Sequence, residues 1–163
     1  MGIGLKFACK CGYTFRPSLG VGFMFPKVYQ KAIALAREGK MGEELELFLR
    51  DHPDGALNVE NTVVKCTSCG RYECVPDLSM YLPTGKKSMP KGIWCAAMPF
   101  ENEEYVSPAE LGTSYILYAP YQHKCRSCGG EMERIDKKTL EERGIECPEC
   151  GRKLKSNGRI HWD

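Results

Sequence analysis

Cys125-Arg-Ser-Cys128-Gly129 and Cys147-Pro-Glu-Cys150-Gly151, with 18 residues between Cys128 and Cys147, are the stretches on which the reading of this chain turns. Two similar pairs stand nearer the amino end, Cys9-Lys-Cys11-Gly12 and Cys66-Thr-Ser-Cys69-Gly70. Two cysteines separated by two residues reach one metal ion from a single tight turn, and the amides of that turn point at the sulfurs. The position after the second cysteine commonly takes positive φ, which glycine accepts without steric cost. A closed tetrahedral site needs four thiolates. The eight paired cysteines therefore predict two sites, holding two zinc ions.

The 18-residue spacing matches the Cys-x₂-Cys-x₁₅₋₂₀-Cys-x₂-Cys zinc pattern. It assigns Cys125, Cys128, Cys147 and Cys150 to one ion. Cys9, Cys11, Cys66 and Cys69 then form the other by elimination, although 54 residues separate Cys11 from Cys66 and Cys9-x-Cys11 is one residue short. Loop length does not forbid that closure, since each doubling costs only about 0.6 kcal/mol. Spacing does not set connectivity, so a crossed pairing between the halves stays open.

A disulfide framework is the competing reading of paired cysteines. Against it, residues 1–10 hold no apolar signal segment, and no run approaches the roughly 18 apolar residues that span a membrane. A chain of 163 residues also has enough length to bury a core without covalent staples. The expected setting is reducing and cytoplasmic. Formal net charge is +2. Two four-thiolate zinc sites at about −2 each bring the folded protein to roughly −2, which removes bulk basicity as a reason to expect nucleic acid.

Around the knuckles the pattern reads as α+β: small antiparallel β hairpins and a helical insert at about 26–52 in the first half. Ile3–Phe15 reads as strand, knuckle, strand. Pro26 opens a helix carrying Val28, Ala32, Leu35 and Ala36 at helical spacing, with Gly39 as its stop. Glu43, Glu44 and Glu46 load the first turn of a second helix, whose apolar face is Leu45, Phe48 and Leu49. The loop between Pro17 and Pro26 lacks the residues of a phosphate loop, and Phe23 and Phe25 are expected to plug the core. Leu57, Val59, Val63 and Val64 read as strand leading into the Cys66 knuckle, with Tyr72–Val75 returning as the paired strand. Ile93–Met98 reads as a short strand, and Ser107-Pro108-Ala109-Glu110 as a capping box opening one helical turn. Ser114–Ala119 reads as a strand, and Asp136 caps a helix ending at Gly144. The expected division is 1–98, a knuckle domain with the insert, and 99–163, a carboxy-terminal ribbon, with packing of the two as one unit left open.

The paired knuckles CRSCGGE and CPECGRK over Lys124–Leu154 resemble the zinc-ribbon, or rubredoxin-like, family. The first half is similar only at its knuckles, and CKCG departs from the family's Cys-x-x-Cys. The resemblance implies two knuckle-bearing β hairpins joined across a structural ion. It implies no reaction, because such ribbons serve many functions.

Cys74 and Cys95 are left over and are expected to be buried as small hydrophobes, with Cys74 a substitute ligand for the first half. His123 is expected in a hairpin, and His52 and His161 facing solvent. A closed four-thiolate zinc has no position for water, and no catalytic motif accompanies it. The expected function is a partner-binding zinc protein. A protein partner comes first. Nucleic acid comes second, through Lys86, Lys87 and Lys91 in one loop and Arg152, Lys153, Lys155 and Arg159 in the tail, with steep salt dependence as its mark. The alternatives are a rubredoxin-like iron electron-transfer protein, suggested by CPECG, and an enzyme in which the ribbons are scaffold.

Overall fold

The computed structural model describes residues 2–22, 25–86 and 104–162. Strands β1 (Gly2–Leu5), β2 (Phe7–Ala8), β3 (Thr14–Phe15) and β4 (Ser18–Leu19) lead into helices α1 (Phe25–Arg37) and α2 (Glu43–Asp51). Strands β5 (Ala56–Leu57), β6 (Asn61–Cys66), β7 (Tyr72–Pro76) and β8 (Met80–Pro83) follow, then α3 (Pro108–Ser114) and β9 (Tyr115–Ala119). The chain closes with β10 (Met132–Ile135), α4 (Lys137–Glu142), β11 (Ile145–Glu146), β12 (Lys153–Leu154) and β13 (Arg159–Trp162). The fold is α+β, with every described strand pair antiparallel.

Two compact units emerge, each assembled from separated stretches. One is Met1–Gly22, Glu60–Asp77 and Gln122–Asp163; the other is Phe23–Val59 and Leu78–Tyr121. These units are drawn differently from the expected division at 98 and 99, two positions that lie outside the described residues. Long-range strand pairing is the reason: β1 takes β13 as a neighbour, with Ile3 opposite His161, and β6 takes β10, with Cys66 opposite Met132. Hydrophobic periodicity within one segment carries no information about such partners.

In the first unit β6 is the central strand of the order β10-β6-β7. Its adjacent Val63 and Val64 are both fully buried but serve different cores. Val63 packs with Phe7, Tyr72, Leu140 and Ile145, and Val64 with Cys66, Val75, Cys125 and Met132. Successive strand side chains point to opposite faces, so a one-residue slip would exchange the two cores. The helix α4 begins as expected, Asp136 Oδ1 accepting the Thr139 N–H at 2.8 Å.

In the second unit the expected helices form. The α1 stop is a Schellman arrangement, the Lys40 N–H donating to Leu35 O and the Gly39 N–H to Ala36 O, each at 3.0 Å. The Leu45, Phe48 and Leu49 face of α2 packs with Tyr29, Ala36 and Leu57 in one core. Each such fully buried leucine contributes about 1.5–3 kcal/mol of transfer free energy. The Ser107–Glu110 capping box is present in both directions. It starts seven residues of helix rather than the expected single turn. Phe25 packs against Tyr29 and Tyr105. Phe23, the strand expected at Ile93–Met98, and Cys95 lie outside the described residues.

Candidate metal centres

The knuckles are near copies of one turn. At Cys66, Cys125 and Cys147 the cysteine N–H donates to the carbonyl five residues on, and the glycine four residues on donates back to the cysteine carbonyl, at 2.8–3.0 Å. At Cys9 both steps are one residue shorter, Cys9 N–H to Tyr13 O and Gly12 N–H to Cys9 O. The short Cys-x-Cys is therefore a contracted version of the same turn. The four glycines take positive φ, as the spacing implied.

These turns gather the thiols into two groups, Cys9, Cys11, Cys147 and Cys150 in one and Cys66, Cys69, Cys125 and Cys128 in the other, with all sulfurs of a group within 4.8 Å of one another. The sequence-based assignment is corrected here. The outer knuckles, first and fourth, form one set, and the inner two, second and third, form the other. The strand register dictates this, since the β6–β10 ladder sets the Cys66 turn beside the Cys125 turn. The crossed pairing left open by the sequence is the one adopted.

Across the knuckles Cys9 Sγ lies 3.5 Å from Cys150 Sγ and Cys11 Sγ 3.5 Å from Cys147 Sγ. In the other group Cys66 and Cys128 are 3.5 Å apart and Cys69 and Cys125 3.7 Å. A disulfide needs about 2.05 Å. A tetrahedron with metal–sulfur bonds of about 2.3 Å has edges of about 3.8 Å. The observed separations sit close to that edge, so both sets could hold a metal ion.

The surroundings favour the arrangement. The first cysteine of each Cys-x-x-Cys pair is buried and the second exposed, while Cys9 is half-buried and Cys11 exposed. The Cys69 N–H donates to Cys66 Sγ at 3.4 Å. That amide above all, helped by Ser68 and opposed by burial, lowers the Cys66 thiol to about 6. The Cys11 amide does the same for Cys9, lowering it to about 7. Crowding acts oppositely on the others. The Gly130 amide favours the Cys128 thiolate, but the Cys66 and Cys69 thiols and burial outweigh it and push Cys128 up to about 12. At Cys11 the Tyr13 amide is likewise outweighed by Cys9 and Cys147, and the thiol is pushed up to about 12. Cys150 is raised despite the Arg152 amide, again by Cys9 and burial.

A metal-binding thiolate must first lose its proton. At neutral pH, Cys11, Cys128 and Cys150 are protonated before loading, so adding a divalent ion in weak buffer should release protons, and affinity should rise with pH. Calorimetry in buffers of different ionisation enthalpy reads this directly. Tight binding with no proton release would place the ion elsewhere.

Two residues that support the inner site were not singled out by motif reading. Glu73 on β7 is largely buried, accepts the Arg126 N–H at 3.1 Å and pairs with Arg126 Nε at 3.4 Å, tying the third knuckle to the second hairpin. Gly130 leaves room for the opposite knuckle, since a Cβ there would meet Ser68 Oγ at 2.6 Å and Cys66 Sγ at 3.2 Å. The doubled glycine in CRSCGGE was the available signal.

No family model matches this chain, and neither does any curated protein or any solved structure.

The remaining candidates fall outside the two sets. Cys74 is half-buried, its thiol donating to Ser18 O at 3.4 Å and pushed up by burial; it belongs to neither cluster. His123 is in the expected hairpin, its Nε2 3.1 Å from Asp77 O. His161 is exposed. His52 departs from expectation, its ring packing 5.3 Å from both Phe48 and Tyr118. Arg152, Lys153, Lys155 and Arg159 are exposed in the first unit, Arg159 pairing with Glu141 at 3.5 Å. Lys86 is exposed in the second unit, and Lys87 and Lys91 lie outside the described residues. The second unit also has an open pocket of about 680 Å³, walled in part by Tyr29, Arg37, Glu110 and Tyr115. Among its described lining residues there is no histidine or cysteine, and Glu110 is engaged in its helix cap. No described helix is long and apolar enough to cross a membrane.

Proposed function

We propose that this is a zinc protein whose two ions are structural, built as two zinc ribbons, one nested inside the other in the sequence, and that it acts by binding a partner. The observation that carries this is the pair of closed four-sulfur sets. Each is made by two knuckles remote in sequence, Cys11 from Cys147 and Cys69 from Cys125. Four thiolates leave a zinc ion no position for water or substrate. What such an ion does is join chain segments. The first unit spans about 80 residues, a size at which a single core rarely supplies more than about 3–5 kcal/mol. A structural zinc is worth about 10–16 kcal/mol in apparent binding. Cys66 and Cys125 also belong to the small core with Val64, Val75 and Met132, so ion and core stabilise the same hairpins.

A protein partner fits the overall charge better than nucleic acid does, because two filled sites bring the chain to roughly −2. The electron-transfer reading has one observation in its favour: Cys11, Cys69, Cys128 and Cys150 place sulfur at the surface, where an electron could leave. Metal analysis with a visible spectrum, on protein purified without chelator, separates the two. About two zinc per chain and no colour are expected. Stoichiometric iron with strong visible sulfur-to-metal bands would overturn the zinc reading.

A further inference from the structure

The two four-sulfur sets differ in what joins their knuckles besides sulfur. At the inner set the second and third turns are bonded to each other directly. The Thr67 N–H and the Thr67 hydroxyl both donate to Glu131 O, at 3.0 and 3.1 Å. Glu73 holds Arg126 through both its backbone N–H and its guanidinium. Both turns grow from one three-stranded sheet, β10-β6-β7, in which Cys66 stands opposite Met132.

The outer set has no counterpart to these bonds. Among the described residues, no hydrogen bond or ion pair joins residues 9–13 to residues 146–152 apart from the sulfur contacts, Cys9 to Cys150 and Cys11 to Cys147. The two turns stand on separate hairpins, β2–β3 and β11–β12, whose strands are two residues long. The stems of these hairpins are fixed all the same. Phe7, Ile145 and Leu154 share one core, and β1 pairs with β13. Only the tips are left to the metal. They are also the more accessible: the inner set buries Cys66 and Cys125, whereas the outer set buries Cys147 alone. An incoming ligand displaces sulfurs one at a time, and it begins with those that solvent reaches.

We infer that the outer set is the exchangeable site: it yields its zinc to a competing ligand first, and the inner set keeps its own. This rests on the reading of both sets as structural zinc sites. Ligands already held together by bonds of their own lose less freedom when the ion binds, so the inner set is the tighter one. When the outer ion passes to the competitor, the freed thiolates take up protons and the first and fourth turns part. The inner ribbon and the shared core persist. The chain thus has a one-zinc state, distinct from the loaded and metal-free ones, in which the outer turns respond to zinc supply.

Excess chromophoric chelator added to the full zinc-loaded chain tests this. Release is expected in two phases of equal size. The first should be at least about tenfold faster, the factor that one hydrogen bond at the upper end of the ordinary range supplies. N-ethylmaleimide added after the first phase, followed by peptide mass mapping, should find Cys9, Cys11 and Cys150 modified. Cys66, Cys69, Cys125 and Cys128 should be protected until the second phase. The wild-type chain suffices, so no variant has to fold. Release of both ions in a single phase overturns the inference, and so does modification of Cys69 and Cys128 ahead of Cys11 and Cys150. Neither result touches the structural-zinc reading. That reading fails instead, and takes the inference with it, if the purified chain holds iron or no metal at all.

Discussion

Cys128→Ser combined with Cys150→Ser should strip the protein of both metal ions, whereas Cys69→Ser combined with Cys128→Ser should remove only one. The first double change takes a ligand from each four-sulfur set, and the second takes two from the inner set. Assignment by sequence spacing gives the reverse outcome for each. Zinc per chain after exhaustive dialysis reads the difference directly. The consequence for folding is large. Loss of a structural zinc forfeits about 10–16 kcal/mol of apparent binding, as much as the whole stability of an ordinary domain, about 5–15 kcal/mol. The 128/150 variant should lose the far-ultraviolet signature of its hairpins, as should the wild-type chain treated with a strong chelator. The 69/128 variant should keep the outer set, which joins β2–β3 to β11–β12. Retention of one ion by the 128/150 variant would restore the sequential pairing.

Gly144→Ala is expected to be the most damaging single glycine change in the first unit. Its φ of +72° is a left-handed conformation, which costs an alanine about 1–2 kcal/mol. A Cβ at this position would also run into the Leu154 carbonyl on the backbone of β12. Backbone cannot rotate aside, so overpacking adds about 1–3 kcal/mol. The sum is roughly 2–5 kcal/mol by the same two terms, and it falls on the β11–β12 hairpin that carries Cys147 and Cys150. Gly151→Ala is the matched control: its φ is +70°, yet nothing lies within 4 Å of a Cβ there. It should cost only the conformational part, about 1–2 kcal/mol. Denaturant unfolding of the two variants with metal bound compares them, and equal losses would show that the Leu154 contact is relieved cheaply.

Local signals in the chain were strong where the physics is local. The Schellman stop at Gly39, the acidic first turn of α2, the Ser107 box and the Asp136 cap all depend on residues within a few positions of one another. Each was legible and each is present. The knuckle turns belong to the same class, because amide, sulfur and glycine sit within six residues. His52 was misread for the opposite reason. Nothing near it in sequence signals that Tyr118, on β9, will stack on its ring. Glu73 was passed over likewise, since its role is to hold Arg126, 53 positions away.

The sequence alone thus determined that eight thiols come in four turns, which residues carry them, and that hairpins and two helices surround them. Only the tertiary structure decided which turns gather into one four-sulfur set and that each unit is assembled from separated stretches of chain. A turn is specified by its own side chains and backbone, whereas a pairing is specified by strand register between segments whose separation costs little entropy. The spacing of 18 residues made one pairing look natural, and the β6–β10 ladder imposed the other.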